Sequence, residues 1–330
     1  MPQQHYCQPQ RQTKSDNSLR RVGFELEFAG VELKAAAWVL ARTLNGRVCP
    51  LSEAEYQVHC DDLGTFNIEL DWTLAKDLAR QRQAERPGQE DPVMELVTWI
   101  SSQLVPIEVV CPPLPLDRLH LLDPLVASLR EAGAQGTEES LLYAFGVHIN
   151  PELPALDADT ITGYLQAFIL AQDWLIKRHR VDPVRRITPY IDAFPEDYAL
   201  RVSRYEGNLD LAQLMDDYLW FNPTRNRALD LLPLFKHLDG DRVAATLDDP
   251  RIKARPTFHY RLPNCEIEKP GWSLHQAWNL WCVIEHLACH HGQRRRLLGQ
   301  WWQYQGKWTG LSEKPWHKAL DQLHQDLLSA

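Results

Sequence analysis

The clearest pattern in the chain is strict alternation over Val22-Gly23-Phe24-Glu25-Leu26-Glu27-Phe28. Val22, Phe24, Leu26 and Phe28 fall on one side, Gly23, Glu25 and Glu27 on the other, which is the period of a half-buried strand. Its polar face carries two carboxylates about 7 Å apart, although acids are poor strand formers. They mark either a solvated face or a bound cation.

Four later segments repeat this design. Phe66 to Trp72 alternates, with Asn67, Glu69 and Asp71 on the polar side. Val105 to Cys111 surrounds one acid, Glu108, and ends at Pro112-Pro113, where a ladder cannot continue. Tyr143 to Pro151 sets Ala144, Gly146, His148 and Asn150 opposite four apolar side chains. Arg255 to Asn264 places Thr257, His259 and Arg261 opposite Phe258, Tyr260 and Leu262. Helical spacing predicts helices over Val31–Leu44 with Gly46 past the end, and over Asp117–Ala132 with Asp117 as cap and Gly133 as stop. Further helices are predicted from Asp159 or Thr160 to about His179, over Leu209–Trp220 and Ala228–His237, and from a Ser273 cap to about Cys289. Residues 1–19 are polar and Gln-rich and predict a disordered tail. Lys76 to Asp91 is highly charged, holds Pro87-Gly88, and predicts an exposed loop. Residues 20–330 are expected to form one domain. Half-polar strands predict an antiparallel sheet with one open face, hence an α+β fold with a helical middle and C-terminal region.

Composition adds limits. A formal charge of −9 argues against general nucleic-acid binding. Seven scattered cysteines with no CxxC pair suit reduced thiols. No signal-peptide core and no spanning apolar run is visible, so a cytoplasmic protein without a membrane partner is expected.

The polar faces together offer Glu25, Glu27, Glu69, Asp71, Glu108, His148, Asn150, His259 and Arg261. Carboxylates crowded on one face repel one another unless a cation sits among them. Hard oxygen donors with a few imidazoles and a guanidinium suit Mg²⁺ or Mn²⁺ bridging to substrate phosphates. Arginines clustered between the helices (Arg185-Arg186, Arg201, Arg204, Arg225 and Arg227) are either phosphate contacts or partners of the many acids. His286, Cys289, His290 and His291 could suggest zinc, but the Glu of an HExxH base is missing, so solvated histidines are the simpler reading. Arg294 to Arg296 with Trp301-Trp302 reads as a basic solvated face over buried tryptophans.

Gly23-Phe24-Glu25-Leu26-Glu27 resembles the opening GxExE strand of the amidoligases. Ile107 to Pro113 resembles their E-x-x-S-P strand, with Cys111 where Ser is usual. Gly146-Val147-His148-Ile149-Asn150 is similar to their GxHxN strand, and Thr257 to Pro263 to their late E-x-R strand, with His259 in place of the Glu. The ordered set spans roughly residues 20 to 285. The resemblance implies a curved antiparallel sheet, the half-barrel of glutamine synthetase-like ligases, with helices on one face. It implies ATP and Mg²⁺ (or Mn²⁺) as cofactors, and small-molecule or peptide carboxylate and amine substrates joined through an acyl phosphate. On that pattern Glu25, Glu27 and Glu108 hold metal, with Glu69 or Asp71 as a further ligand or orienting the amine. His148 meets metal or phosphate and Arg261 the transferring phosphoryl group; Asn150 and Arg225 complete the nucleotide contacts. His259 either alters one metal position or leaves its charge to Glu266 or Glu268. A guanido-kinase-like phosphotransferase and an inactive nucleotide- or protein-binding member of the fold are the alternatives.

Overall fold

The computed structural model describes residues 5–71, 106–137, 145–182, 185, 191–207, 209–305 and 314–330. Among them, nine strands form one antiparallel sheet in the order β2-β3-β4-β5-β1-β7-β9-β8, with β6 beside β1. The strands are β1 (Arg21–Phe28), β2 (Arg47–Ser52), β3 (Glu55–Cys60), β4 (Gly64–Leu70), β5 (Ile107–Val110), β6 (Leu114–Pro115), β7 (Val147–Pro151), β8 (Leu229–Asp230) and β9 (His259–Tyr260). Ten α-helices accompany them: α1 (Leu33–Thr43), α2 (Asp123–Glu131), α3 (Ala158–Arg178), α4 (Glu196–Ser203), α5 (Leu211–Phe221), α6 (Leu232–Leu238), α7 (Gly240–Thr246), α8 (Leu274–Cys289), α9 (His291–Trp302) and α10 (Pro315–Ser329). The fold is α+β, as the half-polar strands predict. The expected loop at 76–91 lies outside the described residues.

β1 is central, and Phe24, Leu26 and Phe28 on its apolar face are wholly buried. α1 covers that face near β3 and β4 through Ala36, Ala37 and Leu40. At the other end α3 and α8 pack on β9, where Tyr164 meets Phe258 at 5.1 Å and Trp281 meets Tyr260 at 5.0 Å between ring centroids. Asp157 caps α3, accepting from the Thr160 amide at 2.7 Å. α1 ends on Asn45 in the left-handed region (φ 53°). Gly46 serves a different need from a stop signal, since a Cβ there would lie 2.7 Å from both Cys60 Sγ and Val58 Cγ1.

Several expectations are corrected. Residues 5–19 are not a loose tail. Tyr6 and Cys7 are buried, Trp278 Nε1 donates to the Cys7 carbonyl at 2.8 Å, and Asn279 Oδ1 accepts from the Cys7 amide at 2.8 Å. Apolar Tyr6 and Cys7 outweigh the polar composition around them. Asp117 lies in a 3-10 turn (Leu116–Leu122) and α2 begins at Asp123. Ser273 stands at the N-cap of α8 as expected, but its hydroxyl donates to Asp123 Oδ1 at 2.6 Å instead of accepting from the helix. The late strand is only two residues long, and its flanks continue as isolated pairings, Thr257 with Glu152 and Asn264 with Gly146. Arg294 is buried, and its guanidinium binds the Leu287 and Ala288 carbonyls at the end of α8, while Trp302 is partly exposed. His286 and His290 stack 3.8 Å apart and are spent on Gln293 and on the His286 carbonyl.

One buried ion pair ties the helices to β1. Arg20, just before the strand, forks onto Glu285 of α8 at 2.7 and 2.9 Å. Both side chains are 1% exposed. Glu285 also accepts from Tyr164 Oη and Trp281 Nε1, so the charge is met on several sides.

Candidate active site

Antiparallel register sorts the polar face into cross-strand rows. In one row Glu55, Glu69, Glu108 and Glu27 are successive direct partners across β3, β4, β5 and β1. In the next, Glu25 of β1 faces His148 of β7. Beyond β7, Ile149 pairs with Tyr260, which brings His148 beside Arg261 and Asn150 beside His259. Every strand predicted from alternation joins the sheet, and Glu25, Glu27, Glu108, His148, Asn150, His259 and Arg261 lie together on its polar face.

The contacts are specific. His148 Nδ1 lies 2.9 Å from Glu25 Oε2, and its Nε2 lies 3.5 Å from Glu27 Oε1. Asn150 Nδ2 donates to Glu25 Oε1 at 2.9 Å. The amide is thereby oriented with Oδ1 toward His259 Nδ1 (2.7 Å) and Arg255 (2.9 Å). His259 Nδ1 therefore meets one group that only accepts, Asn150 Oδ1, and one that only donates, Arg255 Nη2 at 3.0 Å, so the ring is held in place by both. Glu27 Oε2 accepts from the Gly146 amide at 2.6 Å. The His148 and His259 rings meet edge to face at 4.8 Å.

Charge balance differs across the site. Burial opposes the charge on Glu25, but His259, His148 and Arg255 hold its carboxyl well below the usual carboxylate range. Burial and then the Arg261 charge push His259 well below the ordinary imidazole value. With His259 neutral, the His148 hydrogen bond and the Arg255 charge carry the effect on Glu25. Glu108 is the opposite case. Burial, then Glu25, Glu27, Asp71 and Glu69, raise it well above an ordinary carboxyl. No hydrogen bond or ion pair holds it among the described residues.

Among the described residues, two donor groups have ligand atoms within 4.8 Å of one another: Glu25–His148–His259 and Glu27–Glu108–His148. The second fits a divalent cation better. Glu25 is already satisfied by His148 and Asn150 and has Arg255 3.5 Å away. The second group combines the unpartnered Glu108 with an imidazole whose Nδ1 is anchored on a carboxylate, the usual outer support of a metal-binding histidine. Glu69 and Asp71 adjoin Glu108 but belong to neither group. Glu266 pairs with Lys269 and Glu268 accepts from the Gly136 amide, so neither joins these donors.

Beside the carboxylates stands a basic cluster. Arg261 is 9% exposed, and its Nε is buried without an acceptor, as is that of Arg255. Burial and then the charges of Arg261 and Arg251 lower Arg225, which places it in the same positive region. Arg201 pairs instead with Asp217, and Arg227 with Asn222 and backbone carbonyls. Arg185 is also spent on backbone, and Arg186 lies outside the described residues. Two participants were not among the residues expected at the site. Arg255 opens the alternating segment but was not singled out among its polar positions, and Asp230 sits on the two-residue edge strand β8 opposite His259. Burial raises Asp230 to about 6 against the lowering charge of Arg261.

Among the described residues no helix is long and apolar enough to cross a membrane. Comparison with curated proteins gave no match. A family model described as "Putative amidoligase enzyme" matches residues 18–283, a span that includes β1, β5, β7, β9 and all the residues of the site described above. The chain belongs to this amidoligase family.

Proposed function

We propose that the protein is an ATP-dependent carboxylate–amine ligase that works with Mg²⁺ or Mn²⁺. The observation that carries this reading is the juxtaposition of Glu108, a carboxyl with no hydrogen bond among the described residues, and Arg261, whose buried Nε has no acceptor, on either side of Glu25–His148. A cation and an anion bound side by side would satisfy both, and a metal–phosphate pair is such a ligand. On this reading Glu27, Glu108 and His148 hold the cation, with Glu25 orienting His148 and Asn150 fixing Glu25 and His259. A bound divalent ion would offset phosphate charge and withdraw electron density from the transferring group.

Arg261, Arg255 and Arg225 would line the phosphates, with Arg261 stabilising charge on the phosphoryl oxygens. A substrate carboxylate oxygen attacks the γ-phosphorus and ADP leaves. The amine then attacks the acyl carbon of that acyl phosphate, phosphate departs, and the amine proton passes to a carboxylate, Glu69 or Asp71. The substrates would be small-molecule or peptide carboxylates and amines. The open sheet would correspond to the curved half-barrel of glutamine synthetase-like ligases.

Calorimetric titration tests this. ATP should bind only with a divalent ion present, and the double variant Glu27→Gln/Glu108→Gln should lose that binding. Metal-independent ATP binding, or full binding by the double variant, overturns the reading.

A further inference from the structure

We infer that Arg185, together with Gly146, is a positioning unit that sets both Arg261 and Glu27; the inference rests on the ligase reading for its functional arm. Arg185 is 6% exposed. Its guanidinium donates to four consecutive residues. Nη2 meets the Arg261 carbonyl at 2.6 Å, and Nη1 meets the Leu262 and Pro263 carbonyls at 2.8 Å each and Asn264 Oδ1 at 3.3 Å. A buried cation spent on backbone oxygens is costly to place, and its fork fixes the path of the chain it grips. The first residue gripped is Arg261, whose own Nε has no acceptor. Arg185 thus holds the backbone from which the phosphate-facing guanidinium projects.

The same Nη2 also packs against Gly146, the residue that binds Glu27. A Cβ at Gly146 would lie 2.6 Å from Arg185 Nη2 and 3.2 Å from Glu27 Oε2. Gly146 also donates its amide to Glu27 Oε2 and accepts from the Glu27 amide at 3.1 Å. The Pro263 carbonyl gripped by Arg185 also accepts from the Val147 amide at 2.9 Å. One guanidinium therefore packs the start of β7 against the segment after β9, with the anion-facing Arg261 on one flank and the cation-facing Glu27 on the other. The glycine exists because the guanidinium occupies the space of its side chain. A lysine keeps the charge but cannot span the four acceptors.

The test is a pair of double-variant cycles on the full chain. The first reads MgATP affinity. Arg185→Lys should weaken it at least tenfold, Gly146→Ala should do likewise, and Arg185→Lys/Arg261→Lys should be no weaker than Arg261→Lys alone. Wild-type affinity in Arg185→Lys, or losses that multiply in full, overturns the inference. The second reads thermal midpoints without ligand. Gly146→Ala should lower the midpoint of the wild type more than that of Arg185→Lys, because the shorter head group vacates the contact. Equal lowering overturns the inference even where the nucleotide arm succeeds. Absence of MgATP binding by the wild type would refute the ligase reading alone, leaving Arg185 to be judged by the second cycle.

Discussion

Removing Glu108 should make the metal-free protein more stable, and increasingly so as pH rises. Glu108 is the direct partner of Glu27 on one side and Glu69 on the other. Two full charges about 5 Å apart repel by roughly 3 kcal/mol at an effective dielectric of 20, so two such neighbours keep a proton on Glu108. Its folded pKa is raised, burial being the first cause and the surrounding acids the rest. The sign follows from linkage. The unfolded chain gives up this proton near the ordinary carboxyl value, the folded chain only at higher pH, so stability falls as pH rises between the two. The loss is about 1.4 kcal/mol per pH unit, and Glu108→Gln, which mimics the protonated form, escapes it. Urea unfolding in chelator at a series of pH values should therefore show the variant gaining on the wild type by about that slope above pH 5. The gap should level off where the folded Glu108 finally ionises. A pH-independent difference, or a variant that loses ground as pH rises, would refute the argument that uncompensated acids strain this face.

Other outcomes follow from the same geometry. Mn²⁺ titrated near neutral pH in buffers of different ionisation enthalpy should release close to one proton from the wild type and less from Glu108→Gln, because the ion takes the place of the Glu108 proton. Arg20→Met should cost about 3–5 kcal/mol in urea unfolding, since it leaves Glu285 charged, 1% exposed and without its cation; a cost under about 1 kcal/mol would show the pair to be incidental. His317 is buried, its Nε2 has no partner, and burial followed by Lys177 and Lys314 lowers it to about 4. A depressed imidazole leaves the unfolded chain binding the extra proton, so stability should fall as pH drops from about 6.5 toward 4, by about 1.4 kcal/mol per unit, and thermal midpoints of His317→Leu should be flatter across that window.

How much was legible depends on how each element is specified. β1, β4, β5 and β7 are written in period-two alternation, because one face packs in the core and the other carries the polar side chains, which in β7 are buried as well. β2 and β3 escaped, since Arg47–Ser52 has no fully buried position, holds Pro50, and shifts register between Pro50 and Ser52. Their absence hid Glu55, the outermost acid of the row. The residue types at the site were visible, but their pairing was not. Which carboxylate supports His148 and which faces its other nitrogen depends on register between strands more than a hundred residues apart. Arg185 was visible only as one arginine among several, and the convergence of the Arg261, Leu262 and Pro263 carbonyls on it appears only in the structure.

The two faces of β1 explain why such a site can persist. On the polar face an uncharged Glu108 and an acceptor-less Arg261 cost stability in the absence of ligand. On the opposite face Phe24, Leu26 and Phe28 are wholly buried, and Arg20 at the strand entrance is locked to Glu285 by two hydrogen bonds. A single strand cannot relax its polar side without pulling these anchors, so the carboxylates are held together rather than allowed to splay. On the proposed reading a bound cation would replace the Glu108 proton and offset the acids around it, which would link ligand affinity to the rigidity of the apolar face. Weakening Arg20–Glu285 should on this view loosen metal binding at Glu27–Glu108–His148 even though no atom of the pair touches it. Unchanged Mn²⁺ affinity in a folded Arg20→Lys variant would show that β1 holds its acids without that anchor.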